Sequence, residues 1–439
     1  MVVILSGISA ALHVAKLFPA LPVLRDLLRI SLVDAGFLLS AVQVAGMALG
    51  LAIGLLADGI GLKRCMLVGL LLLCAAAALG GFATSATALL ALRAIEGAGF
   101  LLVVTPAPAL IRRSVPPQHL GVILGVWSSY IPFATALALL GGPMLMVLGG
   151  WPLLWWSLSA LSLVMAVCLW RWVPEDGAVA QSPKVGPKIE AGWGAGWGAI
   201  LGAGWRVGSG AWWDRLRQTL GARGPWLVAL CFGVYSGQWV AVIGFLPTIY
   251  TQAGYSGVVT AWLTALAAAV NILGNLASGW LLGRGVRPER LLYVGFCAMG
   301  LGALMAFAEF LAFNQTGLPP GLRYLGVLLF SMVGGVIPGT LFAMAVRLAP
   351  GPDTVSTTVG WMQQWSASGQ FAGPPVVAWV AAAMGGWGWT WAVTGGCALA
   401  GLLLAGQLGR EAVRQAVRRA GTEYKSGEPM EPARHAKTL

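Results

Sequence analysis

Charged residues are scarce in this chain of 439 residues: they make up 10% of it, against about 25% in a soluble domain. So few charges cannot form a water-facing shell, which excludes a soluble globular protein. Hydrophobic residues make up 58% of the chain, and the mean hydropathy is +0.80. Apolar runs of about 20 residues recur, each long enough to cross a bilayer as a helix. Barrel strands are shorter and alternate in polarity, so the sequence predicts an all-α integral membrane protein.

Cysteine pairs and catalytic motifs are also lacking. No two of the six cysteines have CxxC spacing, so they predict neither a disulfide nor a metal site. The sequence contains no HExxH, GxSxG or GxxxxGK[ST] motif, which argues against a membrane-embedded enzyme and against a nucleotide-driven pump. We therefore expect no enzymatic activity and no cofactor.

Twelve apolar segments have the length of membrane spans. They are predicted at residues 2–24, 35–57, 64–83, 88–111, 119–142, 151–173, 226–250, 257–282, 290–313, 322–348, 354–382 and 388–409. Most connections are short, and the exception is a central loop rich in Pro, Gly and Trp. The predicted domains are an N-terminal six-helix half (1–173), the central loop (174–225), a C-terminal six-helix half (226–409) and a basic tail (410–439).

The cations are distributed unequally between the two sides of the predicted membrane. Of the 27 Lys and Arg residues, 22 fall on the side of the termini and the central loop, and Arg25, Arg29 and Arg323 fall on the other side. Cytoplasmic loops carry such an excess, so both termini are predicted to be cytoplasmic in a multi-pass cell-membrane protein. The short loops fit a bacterial inner membrane. The net charge of +12 follows from this asymmetry, and no nucleic-acid partner is predicted.

The tryptophans of the central loop, between residues 193 and 213, leave two interpretations open. Pieces of this stretch are amphipathic and fit a helix that lies along the membrane surface. A disordered linker is the alternative.

The chain contains an internal repeat. Residues 54–64 after span 2 and residues 279–287 after span 8 both consist of a span end, a glycine-rich turn and a cationic loop. Gly142-Pro143 in span 5 has a counterpart at Gly373-Pro374 in span 11. Two homologous halves explain both correspondences, and parallel repeats of this kind place a substrate site at their interface near mid-membrane.

Residues 54–64, GLLADGIGLKR, fit the signature G-x-L-x-D-x-x-G-x-[RK]-[RK] that major facilitator superfamily proteins carry between helices 2 and 3. The chain resembles this superfamily over essentially its whole length. The resemblance implies 12 transmembrane helices in two pseudo-symmetric six-helix bundles. It also implies a conformational latch between the halves, formed by Gly54, Asp58, Gly61, Lys63 and Arg64. The second copy has Gly283 in place of the aspartate, so we expect only the first latch to be intact.

Other motifs bear on the branch of the superfamily. Residues 93–99, RAIEGAG, resemble the helix-4 pattern R-x-x-Q-G-x-G with Glu96 in place of the amide. Drug/proton antiporters carry G-x-x-x-G-P-x-x-G-G in helix 5, but here Ala138 and Met146 replace glycines, which counts against a drug exporter. The context of Lys16 loosely resembles cyanate-type and related organic anion permeases.

Ionisable residues inside the spans are functional candidates, because a charge in the bilayer is costly. His13 and Lys16 share a face of span 1, and Arg93 and Glu96 share a face of span 4. At about 1.5 Å per residue, Lys16 and Glu96 both lie roughly 12 Å from the outer ends of their spans. The resemblance implies that helices 1 and 4 both line the central cavity, so we expect Lys16, Arg93 and Glu96 to meet at one level. The prediction is that Lys16 or Arg93 holds a substrate carboxylate while Glu96 or His13 carries a coupled proton. The alternative is a static ion cluster that fixes helix packing.

Neutral polar and aromatic side chains at mid-span complete the predicted substrate site. Together with Lys16, His13 and Arg93, the predicted substrate-binding residues are Trp127, Tyr130, Gln238, Asn271, Gln363 and Gln364. The alternative for each of them is a hydrogen bond between helices.

The sequence thus predicts a secondary active transporter that takes up a small organic anion together with protons, as a functional monomer in the lipid bilayer. Proton-antiport efflux of a drug-like or toxic compound is the alternative within the same fold. A sensor or receptor built on a transporter fold is a further alternative, and it would bind its ligand without accumulating it in vesicles.

Overall fold

The structure is a computed structural model, and it describes residues 1–107, 110–111, 115–116, 123, 126–175, 209–309, 317–351 and 354–426. At 54–60, 209–212, 355–356, 416 and 418–426 only the backbone is described. All regular elements in these ranges are helices.

Helices of the N-terminal half, residues 1–173, form six spans or parts of spans. They are α1 (Val2–Ala15), α2 (Leu17–Leu28), α3 (Leu32–Ser40), α4 (Val44–Ile60), α5 (Leu62–Gly80), α6 (Ala86–Val104) and α7 (Tyr130–Trp172). A 3₁₀ turn over Ala41–Gln43 joins α3 to α4. Ser31 and Ser85 accept hydrogen bonds from the first turns of α3 and α6 and so cap these helices.

The remaining helices form the C-terminal half and the segment that leads into it. They are α8 (Ser209–Gly221), α9 (Arg223–Gln252), α10 (Gly257–Ala269), α11 (Asn271–Gly283), α12 (Pro288–Phe307), α13 (Pro320–Gly334), α14 (Val336–Leu348), α15 (Val355–Ala383) and α16 (Thr390–Ser426). A 3₁₀ turn, Trp387–Trp389, precedes α16. Helix α8 lies inside the predicted central loop, whose tryptophans at 193, 197 and 205 fall outside the described residues.

Within the described ranges, ten helical stretches are long and apolar enough to cross a membrane. One of them, α7, contains two spans, because Gly149 and Gly150 leave the helical conformation in its middle. Gly150 has φ of +71°, a left-handed conformation that glycine adopts without a steric penalty. Helix α15 adds a further span of 29 residues, whose glutamines lower its hydropathy. The prediction of an all-α fold with twelve spans is confirmed.

Four spans consist of two helical segments each. The segments meet at Lys16 in span 1, at the 3₁₀ turn in span 2, at Val270 in span 8 and at Gly335 in span 10. Lys16, Val270 and Gly335 keep the α-helical backbone conformation, so the helical course of the chain continues through these junctions. Polar side chains of the candidate site lie at or beside the junctions.

Span 2, formed by α3 and α4, packs along span 11, which is α15. Gly36 lies against Pro375, Gly46 against Ala367 and Gly50 against Gln364. Small residues let two helix backbones approach closely in lipid, so this seam joins the two halves over most of the membrane thickness.

We call the side of the membrane at which α1 begins and α16 ends the terminal side. The opposite side is the far side.

Candidate substrate and coupling site

Four ionisable side chains from spans 1 and 4 meet in the N-terminal half, and we call them the ion cluster: His13, Lys16, Arg93 and Glu96. Glu96 is its centre, with one carboxylate oxygen bound by the Lys16 ammonium and the other accepting from Arg93 Nη1 at 2.8 Å. Arg93 and Glu96 are three residues apart in α6, which places both on one helix face. The contact predicted from spacing and depth is present, while the roles of these residues remain predictions.

The remaining bonds of the cluster tie it to span 1 and span 6. Arg93 donates to the backbone carbonyls of His13 and Val14, the second at 3.2 Å. His13 Nε2 lies 2.7 Å from Ser162 Oγ, and the Lys16 ammonium lies 4.4 Å from the ring centroid of Trp155. The positions of Ser162 and Trp155 beside the ion cluster were not predicted from the sequence.

The ion cluster is closed off from solvent. Each of its four side chains is at most 1% exposed. Two cations surround one carboxylate, so the cluster carries one excess positive charge when His13 is neutral. Among the described residues, Arg93 Nε has no hydrogen-bond partner, and His13 Nδ1 lies 3.7 Å from Glu96 Oε1, beyond hydrogen-bond distance. An excess buried charge with an unused donor is suited to bind an anion.

An aromatic stack lies between the ion cluster and the terminal side. The rings of Trp127 and Tyr130 are stacked with centroids 4.6 Å apart, and Phe100 lies 6.5 Å from Tyr130. Trp127 packs against Gly7 of α1, where a side chain would collide with its ring. The predicted lining residues Trp127 and Tyr130 therefore lie next to each other.

The predicted substrate-binding residue Asn271 belongs to a second polar group, which we call the neutral network: Tyr235, Trp239, Asn271, Asn275 and Ser331. The Asn271 amide donates to the Ser331 carbonyl at 2.7 Å and to the Tyr235 hydroxyl at 3.3 Å. Its oxygen accepts from Asn275 at 2.9 Å. Trp239 Nε1 donates to the Ser331 hydroxyl at 3.1 Å. The network joins spans 7, 8 and 10, and it engages the amide of Asn271 on both sides.

Gln238 contrasts with this network. Its side chain is 2% exposed, and neither its amide nitrogen nor its amide oxygen has a hydrogen-bond partner among the described residues. Leaving both atoms of a buried amide unsatisfied costs several kcal/mol, on the order of 1–3 per group. Such an amide needs a water or a ligand that the protein itself does not supply.

The predicted residue Gln364 lies at the seam between span 2 and span 11. Its side-chain oxygen accepts from the Leu51 backbone amide at 3.2 Å. Gln43, which is not among the residues predicted from the sequence, donates from Nε2 to Gln370 Oε1 at 2.8 Å across the same seam. The predicted residue Gln363 is half-buried in α15. The glutamines therefore have two roles. Gln43 and Gln364 form hydrogen bonds across the seam, and Gln363 provides a partly accessible amide.

The predicted latch is partly described. Gly61 has φ of +100°, so a side chain there would be strained. Lys63 is buried and donates to the Trp170 carbonyl at 2.9 Å, while Arg64 is exposed. At Gly54 and Asp58 only the backbone is described, so the Asp58 carboxylate lies outside the described part of the chain. The latch therefore stays a prediction.

Comparisons with known proteins show the family to which the chain is similar. The sequence matches the Major Facilitator Superfamily over residues 2–374. Among solved structures, the chain is similar to the proton:xylose symporter XylE bound to 6-bromo-6-deoxy-D-glucose. The TM-score is 0.67 at 14% identity, over 92% of this chain and 94% of XylE.

Curated relatives give a shorter match. The chain is 28% identical over 176 residues to the uncharacterized transporter YgaY of Escherichia coli (strain K12) and to that of Escherichia coli O157:H7. The match spans 39% of this chain and 44% of each relative, less than half the length of either. These relatives do not establish the organic anion branch, which remains a prediction. The superfamily match covers most of the described spans, and the chain therefore belongs to the major facilitator superfamily: it is a multi-pass membrane transporter and not an enzyme.

Proposed function

We propose that this transporter takes up a small organic anion together with protons by alternating access. The observation that carries the proposal is the excess of buried positive charge around Glu96. Lys16 and Arg93 share this single carboxylate, and all three side chains are at most 1% exposed. XylE, which has a similar fold, is a proton:xylose symporter, and this likeness supports proton coupling in the proposal.

Coupling follows from charge balance in a low-dielectric site. When Glu96 takes up a proton, Lys16 and Arg93 lose their shared counterion, and two uncompensated cations remain buried. This state is costly, and a substrate carboxylate lowers its free energy by replacing Glu96 as the partner of the cations. Proton and anion therefore favour each other's binding, which is the thermodynamic requirement for symport. The cations become accessible to the anion in another conformation of the transport cycle.

The neutral part of the substrate is assigned to polar and aromatic residues of other spans. Gln238 is 15 residues into α9 and Lys16 is 14 residues beyond Val2, so both lie at a comparable depth of about 21–23 Å from the starts of their spans. The unsatisfied amide of Gln238 supplies N–H donors and a carbonyl acceptor. The stack of Trp127 and Tyr130 supplies an apolar wall that suits a flat substrate.

Transport in proteoliposomes tests this function. The purified protein is reconstituted, a pH gradient is imposed in either direction, and uptake of a panel of labelled organic mono- and dicarboxylates is measured. We expect an anion to accumulate when the compartment that supplies it is the more acidic one. Lys16→Met, which keeps the side-chain length but removes the charge, is expected to abolish this accumulation. Glu96→Gln is expected to retain downhill exchange of the anion but to lose accumulation driven by the pH gradient.

Two variants outside the cluster serve as controls. Glu309→Gln removes an exposed carboxylate just beyond α12, and Arg29→Gln removes an exposed cation on the far side. Both are expected to transport like the wild type. Normal anion transport by Lys16→Met would contradict the assignment of the cation. Outward movement of a cationic or neutral compound in exchange for protons would instead support the alternative, proton-antiport efflux.

A further inference from the structure

A cavity of about 510 Å³ lies on the terminal side of the C-terminal half, far from the ion cluster. It is bounded by the junction of α8 and α9 and by the middle of α16. Three arginines line it, Arg223, Arg410 and Arg414, together with the apolar side chains of Trp226 and Leu227. The acidic residue in its lining is Glu411, so the lining has two excess positive charges.

The arginines are weakly compensated. Arg414 Nη1 lies 3.8 Å from Glu411, which is an ion pair beyond hydrogen-bond distance. Among the described residues, Arg223 and Arg410 have no acidic partner within ion-pair distance. An arginine guanidinium offers paired donors that match a phosphate group. The chemistry of the lining therefore fits a phosphate anion.

The length of α16 and its exposed side chains show where the cavity lies relative to the bilayer. Helix α16 has 37 residues, about 55 Å at 1.5 Å per residue, which exceeds a hydrocarbon core of about 30 Å. Leu403, Val413 and Val417 are exposed by 64%, 63% and 67%. At 3.6 residues per turn these side chains form one stripe, and Arg410 and Arg414 lie within it.

An apolar stripe that continues through two arginines is typical of a helix that faces acyl chains and reaches the headgroup layer. Trp226 lies at the same boundary, and its indole donates to the Leu220 carbonyl at 2.8 Å, which fixes the end of α8 against the start of α9. The cavity therefore opens toward the edge of the bilayer, where its arginines meet lipid headgroups.

We propose that this cavity binds the phosphate headgroup of an anionic phospholipid from the leaflet on the terminal side. The arginines hold the phosphate, and Trp226 and Leu227 contact the glycerol and the start of an acyl chain. The site lies outside the residues assigned to transport, so it stands independently of the proposed function.

A second groove on the other side of α16 shares Arg410 and Arg414 with the cavity. Glu289 and Tyr293 line this groove as well, and the carboxylate makes it less cationic than the cavity.

Native mass spectrometry of the full-length protein in detergent tests the proposal. Phosphatidylglycerol, phosphatidylcholine or inorganic phosphate is added, and the bound fraction is measured at equal concentrations. We expect the wild type to bind phosphatidylglycerol at least about tenfold more tightly than phosphatidylcholine, because the two excess cations attract the anionic headgroup but not the zwitterionic one. Millimolar inorganic phosphate is expected to leave the bound phosphatidylglycerol in place. Displacement of phosphatidylglycerol by phosphate, or equal binding of both lipids, would overturn the lipid assignment. The wild-type protein alone is enough for this measurement.

A matched pair of variants locates the site. Arg223→Gln, Arg410→Gln and Arg414→Gln combined are expected to remove the preference for phosphatidylglycerol. The control combines Arg215→Gln, Arg217→Gln and Arg287→Gln, three exposed arginines on the terminal side that do not line the cavity. The control is expected to keep the preference, and an equal loss in both variants would show a general surface-charge effect instead. A combined Arg→Lys variant at the three cavity positions keeps the charge and is expected to bind with intermediate strength.

Discussion

The two halves of the transporter connect their first and fourth helices with different chemistry. In the N-terminal half, Lys16 of span 1 and Glu96 of span 4 form an ion pair that Arg93 extends. In the C-terminal half, Trp239 of span 7 donates to Ser331 of span 10, and Asn271 of span 8 adds further neutral hydrogen bonds. Both arrangements lie deep in the membrane and are almost completely buried.

The neutral network shows that this fold can join its helices at mid-membrane without ions. Burying an ion pair costs desolvation energy that its attraction recovers only with good geometry, and neutral replacements are often equally stable. A packing role does not require four ionisable residues at this position, which favours the proposed role of the ion cluster in transport. Their charge is the property that the neutral network lacks, and in the proposed function this charge couples the anion to the proton.

The largest expected effect is that of Glu96→Gln, which removes the carboxylate shared by Lys16 and Arg93. Breaking one side of a buried ion pair costs about 3–5 kcal/mol, because the remaining charges are uncompensated. We expect a marked decrease in the thermal unfolding temperature in detergent, together with the loss of accumulation described above. Glu309→Gln is the control and should unfold like the wild type. Wild-type stability of Glu96→Gln would show that the two cations do not depend on this carboxylate.

A second variant makes the ion cluster more like the neutral network. Lys16→Met combined with Glu96→Gln restores the net charge of the cluster to that of the wild type. We expect it to recover about 1–3 kcal/mol relative to Glu96→Gln alone, since neutral replacement of a buried pair is better tolerated than a broken pair. Unfolding temperatures of both variants measure the recovery. Anion accumulation should stay absent, and its return together with stability would assign the cluster to packing alone.

Asn271→Ala probes the neutral network and should have a smaller effect. It removes hydrogen bonds to Tyr235, Ser331 and Asn275, which in membrane proteins are worth about 0.6 kcal/mol each on average. We expect a destabilisation of roughly 1–2 kcal/mol and an unchanged dependence of transport on the pH gradient. Thr340→Ala is the control, because its hydroxyl donates to Val336 within the same helix, at 2.7 Å. A change in proton dependence of Asn271→Ala would place part of the coupling in the C-terminal half.

How much of this arrangement the sequence predicts depends on the kind of contact. Residues three apart share a helix face, and depth follows from the helical rise, so the meeting of Lys16 with Glu96 was predictable. The contacts of His13 with Ser162 and of Lys16 with Trp155 were not, because they depend on how span 6 is rotated and tilted against span 1. Those quantities follow from packing and have no local sequence signal.

Glutamine and asparagine show a second limit of prediction. A polar side chain in an apolar span indicates a partner but does not say whether that partner is protein or ligand. Asn271 and Gln238 have the same sequence signal, yet Asn271 is bonded within its half and Gln238 has no partner among the described residues. Gln43 has this signal too, and its partner Gln370 is 327 residues away.

The smallest expected effect concerns the seam between span 2 and span 11, which belongs to neither half alone. Gln43 donates to Gln370 there, and alternating access requires the halves to move against each other along this seam. Gln370→Ala removes about 0.5–1.5 kcal/mol of net hydrogen-bond energy from this conformation, so we expect the rate of anion exchange to change about two- to tenfold while gradient-driven accumulation persists. Ser368→Ala is the matched control, because its hydroxyl donates to the Gln364 carbonyl within α15 at 2.9 Å and does not cross the seam. Equal exchange rates in Gln370→Ala and Ser368→Ala would mean that this hydrogen bond does not limit the movement, and that the close packing of glycines along the seam controls it instead.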